Sequence, residues 1–511
     1  MKREEAIKAD LVEAVLAQLR QKLPADQAAM AEAFAQQYFS QVDPTDIADH
    51  AAADLYGAVL SHLNFARHIQ RGRAKLRVYN PQLEEHGWQS THTVIEVVQE
   101  DMPFLVDSLI MEINRQGLAQ HLIIHPVMKM TRDGEGILQG VASSHQSSDG
   151  RLESIIHAEV DRRTSAADLK ALESGLLGVL ADVAVAVADW RKMQHRLLEA
   201  ISEIEENPPV GIEDTEEDRA FLQWVANDHF TFLGHRDYTL TEQDGETHLL
   251  AVPDSGLGIL REVAGERSSG FAALPQEIRE QAKEPVVLVL TKSNSRSTVH
   301  RPAYLDYIGV KRFDADGRVV GERRFLGLYT SVAYHAAPAS IPLLRRKAAH
   351  VASRAGFLPN SHGAKTLSTI LQQYPRDELF QIGEDELFDT AMGILRLGER
   401  LRTRLFIRRD PYGRFFSCLI YAPRENYNTE LRQRFQAILM KAFDGHGSDF
   451  EVHLSESVLA RILIIVRTQP GSMPDYDVND LEARLVRASR HWGDDLQAAL
   501  VERCGEERGN A

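Results

Sequence analysis

The sequence has little cysteine, with only Cys418 and Cys504 in 511 residues. Two thiols cannot build a disulfide framework or a cysteine-rich zinc site. Cys418, within FFSCLIY, is predicted to be a small core residue. No apolar run approaches the about 20 residues that a membrane-spanning helix needs, and the charged N-terminus predicts no signal peptide. We therefore expect a soluble, cytoplasmic protein with no membrane partner.

An excess of basic residues is also missing, as is any complete nucleotide-binding loop. With 58 Lys and Arg against 74 Asp and Glu, the formal net charge is −16, which argues against a general nucleic-acid binder. The sequence contains no GxxxxGK[ST] and no GxSxG. Its best glycine-rich fragment, Gly256-Leu257-Gly258, lacks a third glycine and a preceding buried parallel strand, so a turn is favoured. These absences argue against a self-sufficient nucleotide-dependent enzyme.

Histidine is abundant, with 20 residues, so metal sites have to be considered. His229 and His235, with Asp228 and Asp237 nearby, contain the right ligand types for a cation. They lie across a predicted transition from helix to strand, and the sequence has no HExxH. We therefore predict no metal site.

Three further histidines, His121, His125 and His157, fall on predicted strands. A shared site in the sheet is one interpretation. The other, which we favour, is that they are partly buried and hydrogen-bonded to the backbone.

The most basic part of the chain is an arginine run. It comprises Arg396, Arg400, Arg402, Arg404, Arg408, Arg409 and Arg414. Nucleic acid is one possible partner. A solvated helix end followed by the polar face of an edge strand, or a docking surface for acidic segments, explains the run more simply. Because no aromatic residues alternate with the arginines to stack bases, we predict no nucleic-acid partner.

The stretch Gln99–Met128 predicts a strand, a helix and a second strand. Asp101 is predicted to cap the helix, Pro103 to lie in its first turn, and Gly117 to end it in the left-handed conformation. Apolar residues follow at helical spacing between these points. This pattern is typical of an α+β sandwich, and the stretch contains no evident nucleophile.

Along the whole chain, the patterns predict a multidomain α+β protein with five segments. They are an N-terminal helical segment (1–72), an α/β sandwich with a long helix (73–205), a PAS-like, mainly antiparallel sheet (212–335), a helical motif (338–402) and a second α/β sandwich (403–503). Both sandwiches follow the order strand, strand, helix, strand, strand, helix. We interpret this as an internal repeat of architecture.

Several segments, in order along nearly the whole chain, resemble one family. They are DMPFLVDS (101–108), HLIIHP (121–126), DHFTFLGHRDY (228–238), DSGLGILR (254–261), RRFLGLYTS (323–331), YPRDELFQI (374–382) and RRDPYGRFFSCLIYAPRENYN (408–428). The family is the large, bacterial-type NAD-specific glutamate dehydrogenases.

The resemblance implies an N-terminal region with two ACT-like sandwiches around a PAS-like domain. In this family the dehydrogenase domain lies beyond the matched segments. The parent reaction is the oxidative deamination of L-glutamate to 2-oxoglutarate with NAD. No catalytic residue can be carried over onto this chain, and no cofactor is expected in this segment. ACT domains usually run strand, helix, strand, strand, helix, strand, so the predicted order has an extra leading strand and lacks the final one.

The expected function is therefore regulation and assembly. We expect the chain to self-associate through its ACT-like domains, and its other expected partner is the C-terminal catalytic domain of the parent enzyme. An amino-acid effector would bind at Asp101, Met102, Pro103, Phe104 and Asp107, where free backbone N–H groups suit a carboxylate. The alternative is that Asp101 only caps its helix and Asp107 is solvated. A second alternative for the whole chain is a stand-alone ACT/PAS protein that senses small molecules without an attached enzyme.

Overall fold

The computed structural model divides the chain into two compact units. The first contains Met1–Trp190 and Ser295–Tyr304, and the second contains Arg191–Asn294 and Leu305–Ala511. The structure describes residues 2–145, 150–212, 215–243, 246–261, 283–469, 474–490, 500–503 and 505. Cys504 lies outside these ranges.

The first unit combines a helical N-terminus with an antiparallel sheet and three further helices. Its helices are α1 (Lys2–Lys22), α2 (Ala25–Tyr38), α3 (Pro44–Ile47), α4 (Ala52–Ala66), α5 (Leu83–His86), α6 (Leu105–Arg115) and the first part of α7 (Ala166–Glu206). Its strands are β1 (Lys75–Tyr79), β2 (Thr93–Glu100), β3 (Gln120–Ile124), β4 (Val127–Arg132), β5 (Leu138–Ser143) and β6 (Arg151–Val160).

The sheet of the first unit has the order β1-β2-β6-β4-β5, and β3 also pairs with β6. β2 and β6 lie at its centre and are buried along most of their length. One face of the sheet packs against the N-terminal helices, where Leu19, Phe34 and Val59 share a core with Val98 and Ile155. The helical N-terminus is thus part of the same folded unit as the sheet.

Helix α7 is long and apolar enough, by length and composition, to cross a membrane. The core helix of a soluble domain passes the same test, so this is weak evidence for a span. Leu172, Leu176 and Val183 on α7 are all 0% exposed. These residues form a buried stripe that packs in the core, and 33% of the most apolar window of α7 is buried.

The second unit contains the end of α7, two sheets and a set of helices. Its other helices are α8 (Glu216–Trp224), α9 (Ser331–His335), α10 (Leu344–Ala355), α11 (His362–Gln373), α12 (Arg376–Gln381), α13 (Glu384–Leu397), α14 (Thr429–Ala442) and α15 (Val478–Ser489). Its strands are β7 (Phe230–Gln243), β8 (Glu246–Ala251), β9 (Leu257–Gly258), β10 (Leu288–Arg296), β11 (Tyr304–Phe313), β12 (Val319–Tyr329), β13 (Arg404–Arg409), β14 (Phe415–Pro423), β15 (Gly447–His453) and β16 (Leu459–Arg467). The sequence pattern predicts a helix over 478–500. The structure has α15 over Val478–Ser489, and residues 491–499 lie outside the described ranges.

The sheet β10-β11-β12-β7-β8, with β9 paired to β7, is antiparallel. One large core joins it to the end of α7 and to the helices between residues 344 and 397. In this core Leu197 of α7, Ile308 of β11 and Leu387 of α13 are all fully buried.

The second sheet, β13-β14-β16-β15, is buried on both faces by alternating residues. Leu419 and Leu463 face the large core, while Cys418, Ile420 and Ile464 pack against α14 and α15. Cys418 is 0% exposed, which confirms its prediction as a core residue.

The two sandwiches share a strand order, since β1-β2-β6-β3 in the first corresponds to β13-β14-β16-β15 in the second. The first sandwich has an additional hairpin, β4–β5. The predicted repeat of architecture is therefore present, with one insertion.

Candidate functional site

Four of the five predicted effector-binding residues lie in the loop between β2 and α6, and Asp107 lies in the first turn of α6. We call residues 101–107 the β2–α6 junction. Asp101, Met102 and Phe104 are half-buried, whereas Pro103 and Asp107 are exposed. Leucine and isoleucine residues on α6 anchor the helix to the core. The junction is thus a partly exposed loop together with the first turn of the helix that follows it.

Two details of the predicted helix start are wrong. The residue before α6 is Phe104, which adopts φ 74°, and no side chain caps the helix. Asp101 does not cap it, because its Oδ1 accepts a hydrogen bond from Ser154 Oγ at 2.6 Å. Pro103 lies before the helix and not in its first turn. Gly117, with φ 70°, follows the end of α6 as predicted.

Ser154 connects the junction to a histidine. Its hydroxyl donates to Asp101, and His125 Nε2 lies 3.2 Å from the same Ser154 oxygen. Burial lowers the pKa of His125. Because the hydroxyl proton is directed to the carboxylate, His125 cannot act as the base that activates this serine. The three side chains position the junction and do not form a nucleophilic site.

A segment distant in sequence also contacts the junction. Residues 297–303 connect β10 to β11, and we call them the β10–β11 tip. The His300 ring lies 4.9 Å from the Phe104 ring, and the His300 backbone N–H donates to Ser108 Oγ at 3.0 Å. His300 Nδ1 is 3.8 Å from Asp107 Oδ2. The sequence offered no indication of this contact, because the two segments are 192 residues apart.

A buried polar cluster lies where α4 packs on β2 and β6. One ligand-type atom each from His62, Glu96 and His157 lies within 4.8 Å of the others, and all three side chains are buried. His62 Nδ1 is 3.3 Å from the Tyr38 hydroxyl, and Nε2 is 3.3 Å from the Val97 carbonyl oxygen. Since a carbonyl only accepts, we assign the His62 proton to Nε2. Burial lowers the pKa of His62 to about 4, so it is neutral at pH 7.

The contacts of Glu96 favour a hydrogen-bonded cluster over a metal centre. Arg77 Nε donates to one carboxylate oxygen at 2.7 Å, and the Tyr79 hydroxyl donates to the other at 3.0 Å. A metal ion at this carboxylate would have to displace both donors and would lie next to a guanidinium. His157 Nε2 is 3.5 Å from Glu159 Oε1, which gives the second histidine a carboxylate partner outside the cluster.

The structure does not gather the two histidines and two aspartates that the sequence suggested as a metal site. His229 precedes β7, and its Nδ1 lies 2.8 Å from the Trp224 carbonyl oxygen. His235 and Asp237 share one face of β7, with His235 Nε2 3.3 Å from Asp237 Oδ1. Asp228 and His229 therefore precede β7, whereas His235 and Asp237 lie within it.

The arginine run is divided between the surface and the interior of the second unit, since Arg396, Arg400, Arg402 and Arg404 are exposed. Arg408, 6% exposed, pairs with Glu378 through two hydrogen bonds of 2.8 and 2.9 Å. Arg414 pairs with the fully buried Asp410, and Arg404 pairs with Glu482 at the surface. The interpretation as a solvated or docking surface is wrong for Arg408, because its charge is satisfied in the interior.

Asp410 connects the two sheets of the second unit. It lies in the β13–β14 turn, accepts the backbone N–H groups of Tyr412 and Arg414 at 3.1 Å, and accepts Arg414 Nε at 2.9 Å. Thr291 of β10 donates its hydroxyl to Asp410 at 2.9 Å and accepts from Arg414 Nη2 at 2.7 Å. A hydrogen-bonded network therefore joins the middle sheet to the second sandwich.

A cleft of about 670 Å³ lies elsewhere in the first unit. It is lined by Arg71, Arg73 and Arg151 and by the bidentate pair of Arg132 with Glu153 (2.7 Å for each hydrogen bond). Acidic and basic residues are mixed in its wall, so its charge favours neither an anion nor a cation.

The chain matches three domain families, each described as part of glutamate dehydrogenase. Residues 34–176 match the ACT1 domain, residues 341–400 match helical motif 1, and residues 404–493 match the ACT2 domain. The ACT1 match includes the β2–α6 junction, and the ACT2 match includes β13 to α15.

Curated relatives are named NAD-specific glutamate dehydrogenase. The protein from Halomonas elongata is 43% identical over 511 residues, which is 99% of this chain and 32% of the relative. The protein from Pseudomonas aeruginosa is 39% identical over 478 residues (93% of this chain and 30% of the relative). The protein from Mycobacterium tuberculosis is 28% identical over 456 residues (86% and 27%).

The chain thus spans about a third of the length of the curated relatives it matches. The ACT1 match covers the first sandwich, and the ACT2 match covers the second sandwich. The helical-motif match covers helices that lie between the two sandwiches in the sequence. This chain therefore belongs to the family of large, bacterial-type NAD-specific glutamate dehydrogenases, and it corresponds to their N-terminal region.

Proposed function

We propose that this chain is the regulatory and assembly region of a large NAD-dependent glutamate dehydrogenase in the cytoplasm. Its partner is the C-terminal catalytic domain of the parent enzyme, which converts L-glutamate to 2-oxoglutarate with NAD. The main support for this proposal is that the chain matches two ACT domains and one helical motif of glutamate dehydrogenase. The chain itself does not turn over glutamate.

The proposed domains keep the boundaries predicted from the sequence, which are 1–72, 73–205, 212–335, 338–402 and 403–503. We propose that the middle segment has a PAS-like fold. Its mainly antiparallel sheet, with helices packed on one face, supports this assignment.

The glycine-rich fragment of this chain does not fit a dinucleotide. β9 (Leu257–Gly258) pairs with β7, and residues 259–261 form a turn rather than the first turn of a helix. A dinucleotide loop requires a helix whose N-terminus faces the pyrophosphate. NAD is therefore assigned to the parent enzyme and not to this segment.

For an amino-acid effector we propose the β2–α6 junction. No side chain caps α6, and the uncapped backbone N–H groups of a first helical turn suit a carboxylate. Asp101 and Asp107 supply negative charge for an ammonium group. Such a ligand regulates only if it binds one arrangement of the protein more tightly than another.

For self-association we propose the edge of the second sandwich at β15. In the sheet order β13-β14-β16-β15 this strand is terminal. Phe450 on β15 is 49% exposed and is contacted by the Arg432 guanidinium at 3.8 Å from the ring centroid. An edge strand with an exposed aromatic residue can pair with the same edge of a second copy.

Replacing Phe450 by lysine is expected to weaken self-association by about tenfold or more, because two copies would bring four cations together at the paired edges. Sedimentation velocity over a concentration series measures the change. The matched control is Leu358→Lys, which alters a residue that is 78% exposed and lies outside the second sandwich. Equal association of wild type and Phe450→Lys would exclude this edge, and a monomeric wild type would exclude the assembly role.

A further inference from the structure

Arg236 on β7 is a buried cation for which the structure describes no counterion. The residue is 9% exposed, and its Nε is enclosed by protein. No hydrogen bond or ion pair of this side chain lies among the described residues. By comparison, Arg408, which is 6% exposed, forms two hydrogen bonds with Glu378. Because burying an uncompensated charge is costly, the position of Arg236 favours a bound anion.

A second arginine adds positive charge at the same point of the middle sheet. Arg324 of β12 is the direct cross-strand partner of Arg236, so the two side chains start from the same face. Arg324 Nε lies 3.3 Å from Glu322 Oε1, and its guanidinium lies 4.0 Å from the centroid of the Tyr238 ring. Like charges directly opposite each other destabilise a sheet unless an anion offsets them.

Glu322 is fully engaged by groups other than Arg236. Besides facing Arg324, it accepts the Tyr307 hydroxyl and lies opposite Lys311 in the register of β11 and β12. Burial lowers the pKa of Lys311, and the charge of Glu322 opposes this shift. Lys311 also donates to a backbone carbonyl oxygen, that of residue 284, at 2.7 Å. Because Glu322 already faces two cations, it does not supply a counterion for Arg236.

The glycine-rich loop that contains β9 comes close to the end of the Arg236 side chain. A Cβ at Gly256 would lie 3.1 Å from Arg236 Nη2 and 2.3 Å from the Leu260 carbonyl oxygen. Glycine at this position therefore leaves space beside the guanidinium that another residue would fill. Ser255, 7% exposed, fixes the loop to β7, because its hydroxyl accepts the Asp237 backbone N–H at 3.1 Å.

We propose that Arg236 and Arg324 bind an oxyanion, namely the carboxylate or phosphate group of a small metabolite. A guanidinium presents its N–H donors in a planar fork, which matches two oxygens of such a group. The space at Gly256 admits these oxygens beside Arg236, and 23% of the Arg324 side chain is exposed, which gives access from solvent. The anion supplies the negative charge that Arg236 lacks. This site lies within the second unit and is independent of the amino-acid effector proposed for the β2–α6 junction.

Hydrogen exchange of the full chain, followed by mass spectrometry, tests the site. The probes are inorganic phosphate and succinate at millimolar concentration, each compared with sodium chloride at the same ionic strength. We expect at least one probe to slow exchange in peptides covering 232–240 and 252–260 by about threefold or more, because a bound anion joins the loop to β7. The probe that acts identifies the source, phosphate for a phosphorylated ligand and succinate for a carboxylic acid.

Two variants of Arg236 separate binding from a merely structural role. Arg236→Met removes the charge but keeps an apolar stem, so the effect of the anion is expected to disappear. Arg236→Lys keeps the charge but loses the fork, and we expect it to bind the anion about tenfold more weakly than the wild type. The matched control is Arg318→Met, which alters a side chain that is 77% exposed just before β12 and is expected to respond as the wild type does.

Unchanged exchange of the wild type with both probes would overturn the site, as would equal protection of the wild type and Arg236→Met. If Arg236→Met already exchanges fast throughout the second unit in chloride alone, the comparison of Arg236→Lys with the wild type decides. Weaker protection of Arg236→Lys supports the site, and equal affinity of the two proteins for the anion would reject it.

Discussion

Replacing Asp410 by asparagine is expected to destabilise the second unit by about 3 kcal/mol or more. The substitution keeps the size of the side chain but removes the charge that faces Arg414, and Asp410 is 0% exposed. Removing one partner of a buried ion pair leaves an uncompensated charge, which typically costs about 3–5 kcal/mol. Urea unfolding measured by pulsed hydrogen exchange of peptides from β14 and β16 reports on this unit.

Asp314→Asn is the matched control for this prediction. Asp314 Oδ1 accepts the backbone N–H groups two and four residues later, at 3.0 and 2.8 Å, which is the same turn geometry as at Asp410. Since asparagine retains this acceptor and no ion pair of Asp314 is among the described contacts, we expect a loss below about 1 kcal/mol. Equal losses for the two variants would contradict the account of Asp410.

The link between the two sheets is tested by a double-mutant cycle. Thr291→Val removes the hydroxyl that bridges Asp410 and Arg414. Because the three side chains share one network, the effects of Thr291→Val and Asp410→Asn are expected to be non-additive by about 1 kcal/mol. Additive effects would mean that the middle sheet and the second sandwich are not coupled through this network.

Acidification below about pH 6.5 is expected to destabilise the first unit through His62. The folded pKa of about 4 lies below the ordinary value of 6.5. Above pH 6.5 both states are neutral and the stability is complete. Between pH 6.5 and 4 the unfolded chain binds a proton that the folded protein does not, so the stability falls. Below pH 4 both states are protonated, and the total loss is about 3 kcal/mol.

His62→Gln is the reference for this measurement. Glutamine keeps one donor and one acceptor for Val97 and Tyr38 but does not titrate. Thermal or urea unfolding of both proteins from pH 7.5 to 4 is expected to show a steeper decline for the wild type. Glu159 affects stability in a separate, lower pH range. Burial opposes its ionisation, but hydrogen bonds from His157, Ser90 and His92 lower its pKa to about 2. Parallel curves for the wild type and His62→Gln would contradict a neutral, buried His62.

The strands of the middle sheet could be predicted because strand composition and turn residues are local features of the sequence. Residues 303–313 and 318–329 have the composition of strands around the Asp314–Gly317 turn, and they correspond to β11 and β12 within one residue at each end. The sequence also predicts a strand over 404–409, and this segment forms β13. Repeated strand order between the two sandwiches followed from the same patterns.

The features of the candidate site were less accessible, because they depend on contacts between distant segments. Aspartate is a residue type that often caps helices, but the Asp101 carboxylate instead accepts a hydrogen bond from Ser154, which is 53 residues later in the sequence. The His62 cluster joins α4, β2 and β6. One indication was present in the sequence, since Glu96 stands within the apolar run TVIEVV, and a charge in a fully buried strand requires partners.

The central claim is that this chain regulates and assembles an enzyme whose catalytic machinery it does not contain. The most direct test is the formation of NADH, followed by absorbance, when the purified 511-residue chain is incubated with L-glutamate and NAD. A glutamate dehydrogenase of established activity serves as the positive control. The account predicts no glutamate-dependent NADH above the protein-free blank, and turnover that rises in proportion to the concentration of this chain would contradict it.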